Sequence, residues 1–278
     1  MTWWCSATGE PWTWAWKAYP GVWLFVGLLA VLYWAAVWRP VGAQVHTRLQ
    51  GRHTAWFAAG LFAIWLALDW PIGALGAGYL TSFHTITYIL LVMVAAPSLI
   101  LSIPEQQLSR WCRTGTMAKP LWLLARPWLA LSLFNVIVLG THMPAIVDGL
   151  MVTQIGAFAV DLAWLLAGFA LWWPVMGPPD VVRMKRPMKM AYLFASTLLP
   201  IIPSAFLTFA DYPIYATYEL APRIFPLLTA RSDQQVAGLL MKIVGDLPIW
   251  FGFAVIFFRW SKESEQVRRA PVHPSAQG

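Results

Sequence analysis

Residues His84–Ile103 read HTITYILLVMVAAPSLILSI, an unbroken run without Asp, Glu, Lys or Arg. At ~1.5 Å per residue a helix of this length covers about 30 Å, the thickness of a bilayer's hydrocarbon core. Working outward from it, further mostly apolar runs of span length occur at Gly21–Trp38, Thr54–Gly76, Leu121–Gly140, Val152–Val175, Met190–Ala210 and Gln235–Phe258. Together they predict an all-α integral membrane protein, a seven-transmembrane-helix bundle over residues 21–260. An N-terminal interfacial segment over 1–20 and a polar tail over 261–278, fraying after Lys262, complete the expected organisation. Composition agrees, because 11% charged residues is far below the roughly 25% of a soluble domain. The 19 Trp fit the headgroup layer, where an indole satisfies both its apolar ring and its N–H.

Orientation follows from the basic residues. Arg39, Arg48 and Arg52 fall in the first connection, and Arg110, Arg113, Lys119 and Arg126 in the third. The fifth holds Arg183, Lys185, Arg186 and Lys189, and the tail Arg259, Lys262, Arg268 and Arg269. The opposite connections hold only Lys17, Arg223 and Arg231. Such a bias predicts the N-terminus outside the cytoplasm and the C-terminus inside, in a multi-pass membrane protein. The net charge of +7 does not point to nucleic acid, since basic and aromatic residues do not interleave along one face. Membrane lipid is the expected surrounding. Nothing over Met1–Pro20 reads as a cleaved signal peptide. Cys5 and Cys112 are too few and too far apart for a disulfide framework and are expected as free thiols. Pro200 and Pro203 should kink the sixth helix. The connection DYPIYATYELAPRIFPLLTARSDQ, Asp211–Gln234, has the Pro and Tyr content of a structured interfacial cap.

Charges inside apolar spans are costly and call for named partners. Asp69, Asp161, Lys242 and Asp246 fall in this class. Lys242 and Asp246, four residues apart, share a helical face and form a candidate intramembrane charge pair, read as packing rather than as a proton relay. His46, His53 and His273 fall in the basic connection and the tail, where solvated imidazoles are expected. His84 and His142 fall at the outer ends of the third and fourth helices. Around the latter the sequence reads THMPAIVDGLM from Thr141, adding Met143, Asp148 and Met151. Imidazole, thioether and carboxylate together suit copper, with Met favouring Cu(I); from spacing alone, capping and hydrogen-bonding roles are the commoner account of the same residues. The candidate metal set is His84, His142, Met143, Asp148 and Asp161. The chain has no Gly-rich phosphate loop, HExxH or GxSxG, so an enzyme is not expected.

Several stretches, in order, resemble the CtaG-like family of cytochrome c oxidase assembly factors: YLTSFHTITYILLVMVAAPSLIL from Tyr79, THMPAIVDGLM from Thr141, LLAGFALWWPVMGP from Leu165, LTFADYPIYATY from Leu207 and SDQQVAGLLM from Ser232. The resemblance covers about Asp69–Trp260. It implies a seven-helix bacterial membrane protein that assists assembly of a haem-copper oxidase, with a role in copper supply and oxidase subunits as partners. His84, His142, Asp148 and Asp233 match the family pattern. Tyr88 stands where a second His is expected, and Ala157, Val160 and Asp161 stand in place of an His-x-x-Glu-His motif. Phenol and carboxylate are poorer Cu(I) ligands than imidazole. The departures therefore keep a second reading open, a structural subunit or scaffold of a respiratory complex that has lost the metal. An ion or small-molecule transporter using Asp161, Lys242 and Asp246 is a third reading, disfavoured because no repeat or pair of broken helices is visible in the sequence.

Overall fold

The computed structural model describes residues 2–38, 51–114 and 116–269, and these are all-helical. Arg39, His46, Arg48 and His273 lie outside the described residues. Five helices are long and apolar enough to cross a membrane: α1 (Pro20–Trp38), α4 (Thr81–Leu101), α9 (Gln154–Met176), Arg186–Phe209 and α13 (Ala230–Gln266). Two bent pairs raise the number to seven if each counts as one span: α2 (Gly51–Leu68) with α3 (Ile72–Gly78), bent by 45°, and α6 (Ala118–Leu124) with α7 (Pro127–Thr141), bent by 88°. Short helices α5 (Glu105–Arg113), α8 (Pro144–Leu150) and α12 (Ala216–Glu219) connect them.

The second bend divides the fourth expected span into two helices. Leu121–Leu124 is apolar but turns away at Arg126, which takes extended backbone (φ −81°, ψ 111°) because a residue preceding proline is pushed out of the helical region. The sixth helix is interrupted as expected, with a turn separating α10 (Arg186–Ser196) from α11 (Ile201–Phe209) beside Pro200. The seventh helix runs further than expected, staying helical through Lys262 and Gln266. His53, expected in a solvated connection, is buried, because α2 starts as early as Gly51.

α4 and α9 form the centre of the bundle, and wide π-type turns help place them. Such a turn over Leu90–Ala95 precedes Pro97 of α4, and a second over Leu240–Val244 precedes Pro248 of α13. A looser turn makes room for a ring that would otherwise press on the carbonyl four residues back. The two central helices approach so closely at Gly168 that a Cβ there would lie 2.6 Å from Ala96 Cβ and 2.9 Å from Val92 Cα. Without a hydrophobic drive inside lipid, such small-residue crossings supply the packing.

At one end of the bundle lie the basic segments, where Arg113 binds Asp180 at 2.9 Å and holds its carboxyl below the usual range. The connection from Asp211 to Gln234 closes the other end. It is structured, with buried Tyr215 and Tyr218 and a Gln234 side chain that accepts from Ile214 N (2.6 Å) and donates to the Leu207 and Tyr212 carbonyls.

The N-terminal segment, expected to be interfacial, packs partly into the bundle. Trp4 and Cys5 are buried in the core, and the Gln154 side-chain oxygen accepts from the amides of Trp3 (2.6 Å) and Trp4 (3.2 Å). Ala7 N donates to Met151 O, and Tyr79 OH to Glu10 O, each at 2.8 Å. Both cysteines are free, and burial foremost pushes the Cys5 thiol well up from its ordinary range.

Candidate functional site

His84 sits in the first turn of α4 and His142 directly after α7, so two separate helix ends bring them together. Their ring centroids are 6.1 Å apart, and the residues are 1% and 5% exposed. His142 Nδ1 donates to the Val138 carbonyl (2.8 Å), which fixes that nitrogen as the protonated one and leaves Nε2 with a lone pair. Against the His84 ring stands the Gly76 carbonyl, which also accepts from Tyr218 OH at 2.6 Å. The Nε2 atoms of both histidines are buried without a hydrogen-bond partner. Buried polar atoms are rarely left so, and each such atom calls for an explanation.

Aromatic rings wall the pair. Trp164 of α9 lies 4.7 Å from His84 and 5.9 Å from His142, and Tyr88 lies 5.2 Å from His142. Tyr218 of α12 approaches His84 at 5.7 Å. Polar contacts lock this wall: Trp164 Nε1 donates to Thr141 Oγ1 (2.8 Å), and Tyr215 OH to the His142 carbonyl (2.9 Å). The cap tyrosines carry no signal in the sequence beyond their family stretch, and Trp164 carries none, because their role depends on which helices meet.

The other expected ligands have separate employment. Asp161 is buried and accepts the indole N–H of Trp4 at 2.8 Å, although it shares a small cavity of about 10 Å³ with His84, Cys5 and Met151. Asp148 uses both oxygens on the amides of Ala216 (3.2 Å) and Thr217 (2.9 Å), holding the first turn of α12. Met143 is 56% exposed. Among the described residues, no three His, Cys, Asp or Glu side chains are grouped so as to hold a metal ion. The structure thus brings the two histidines together and ties the two carboxylates to other groups.

The remaining intramembrane charges have neighbours. Lys242 Nζ lies 2.6 Å from Asp246 Oδ2 and 3.4 Å from the Thr197 carbonyl, at the break in the sixth helix. Asp69, in the bend between α2 and α3, accepts from Trp23 Nε1 at 2.8 Å. Asp233 meets the amide and hydroxyl of Ser82 at the start of α4. Gly238 lies so close to α11 that a Cβ would stand 2.7 Å from the Ser204 carbonyl. The DQQ-x-AG stretch is thus a joint among α4, α11 and α13.

Such a bundle, with its buried polar site at one end and basic segments at the other, defines a multi-pass helical membrane protein. The family model for the cytochrome c oxidase caa3 assembly factor matches residues 31–263, and the chain belongs to that family. No curated protein and no solved structure matches it.

Proposed function

We propose that this protein assists assembly of a haem-copper oxidase by handling copper as cargo at the end of the bundle that holds His84 and His142, the periplasmic face of a bacterial inner membrane. The observation that carries this reading is the pair of buried imidazoles with unpartnered Nε2 atoms. Two imidazoles sharing one ion in a near-linear arrangement through bonds of about 2 Å place their centroids about 6 Å apart, and the observed separation is 6.1 Å. A two-coordinate Cu(I) needs no carboxylate, which is consistent with Asp148 and Asp161 serving other groups. The basic bias at the opposite end supports the periplasmic placement. Oxidase subunits are the partners, and the role is non-catalytic.

The second reading, a scaffold without metal, draws on the absence of a third grouped ligand among the described residues and on Tyr88 and Asp161 at positions where the family pattern has His. One experiment separates the two. Copper content is measured in protein purified from native membranes, for the wild type and for His84→Ala and His142→Ala. The copper reading expects near-stoichiometric copper that either substitution abolishes, together with lower oxidase activity under copper limitation. Equal copper content in all three leaves the scaffold.

A further inference from the structure

At the basic end, opposite the histidines, a lateral groove of about 670 Å³ runs between α2, α4, α9, α10 and α13. Trp56, Met93, Pro97, Phe251 and Val255 give it an apolar floor, and Arg186, Lys189 and Arg259 stand along it; its lining holds three cations and no acid. Each cation has an identifiable state. Arg186 pairs with Glu263 through Nη2 (2.5 Å), while its Nη1 is buried without a partner. Lys189 Nζ donates to the Val175 carbonyl (2.7 Å) at the end of α9, which spends one of its three N–H groups. Arg259 has no acidic partner among the described residues.

We propose that this groove is a binding site for one anionic phospholipid, its phosphate held by Arg186, Lys189 and Arg259 and an acyl chain lying along Pro97 and Phe251. The volume is that of a single small-molecule site, about 300–1,000 Å³. Basic pockets between transmembrane helices recognise lipid headgroups because a phosphate gathers several cations at once, in bidentate fashion with Arg. A transmembrane peptide offers the apolar half of this match but no anion for three cations. A zwitterionic lipid offers the phosphate together with a competing cation.

The test uses the full chain, purified and delipidated in detergent and titrated by native mass spectrometry with dioleoyl phosphatidylglycerol or dioleoyl phosphatidylcholine. The first phosphatidylglycerol is expected to bind at least tenfold more tightly than phosphatidylcholine, and the Arg186→Gln/Lys189→Gln/Arg259→Gln variant to lose that preference. Gly252→Leu tests the groove without touching a charge. A Cβ there meets Trp172 and Leu193 at 3.5 and 3.6 Å, ordinary contact, so the bundle admits it while the larger side chain fills the groove. It should weaken phosphatidylglycerol binding at unchanged thermal stability. Arg110→Gln/Lys119→Gln, which removes two exposed cations outside the groove, should keep the wild-type preference. Equal affinity for the two lipids, equal losses in the groove and control variants, full binding by Gly252→Leu, or a co-purifying polypeptide that phosphatidylglycerol cannot displace would each overturn the proposal.

Discussion

Proline withholds one backbone donor, and in a membrane the carbonyl it abandons has no water to turn to. In α4 the amide of Ala96 already reaches five residues back to Leu91 O, so the carbonyl left without a partner by Pro97 is that of Val92. Trp172 Nε1 donates to it at 3.0 Å. Pro174 likewise frees the Ala170 carbonyl, and Tyr192 OH lies 3.3 Å from it and 3.1 Å from Leu171 O. The tryptophan-proline stretch is therefore one half of a repair that α9 makes on α4. Trp172→Phe keeps most of the ring but drops the donor, and should lower stability by about 0.5–2 kcal/mol in a detergent unfolding assay. In a Pro97→Ala background the restored amide serves Val92 O, so the same substitution should cost clearly less. Equal costs in both backgrounds would show that the indole acts by packing alone. In the sequence Trp172 stands out only as part of a family stretch, because nothing local tells which of 19 Trp meets a freed carbonyl. Asp161 had the same limit: an aspartate in an apolar span demands a donor, but Trp4 lies 157 residues away.

Among the elements, apolar length identified the long apolar helices well and their breaks poorly. Hydropathy runs on unchanged through a break, so Leu121–Leu124 merged with α7 until the backbone at Arg126 separated them. At ~1.5 Å per residue α7 covers only about 22 Å, shorter than a typical hydrocarbon core. Contacts between elements are set by small residues, as at Gly238 against α11. Gly238→Leu drives a side chain into the Ser204 carbonyl and Thr208, and should cost at least 2–3 kcal/mol or prevent accumulation of folded protein. Gly27→Leu, where nothing lies within 4 Å of a Cβ, should be nearly neutral in the same melting assay. Comparable losses at both positions would mean that the close approach to α11 does not set the cost, since helix propensity favours Leu over Gly at either position.

For the whole molecule, the basic residues remain the best guide to orientation, and labelling can check it. In a Cys5→Ala/Cys112→Ala background, Ala145→Cys and Leu227→Cys should react with an impermeant maleimide in intact cells. Met117→Cys should react only after the inner membrane is opened. All three positions are exposed in the bundle, so a reversed pattern would mean a reversed protein. The pairing of His84 with His142 was legible as two helix ends on one side, whereas the cap tyrosines and the N-terminal plug required the assembled bundle.

That plug sets a schedule for biosynthesis. The ribosome delivers Trp3, Trp4 and Ala7 long before Met151, Gln154 and Asp161, the groups that bind them. At about 5–20 residues per second the wait is on the order of 10–30 s. During that time the segment has only its contacts with nearby elements, and α1 is itself only 11% buried in the finished bundle. Residues made early are thus among the last to be seated, and arrival of α9 is the event that lets this segment close over the interior of the bundle.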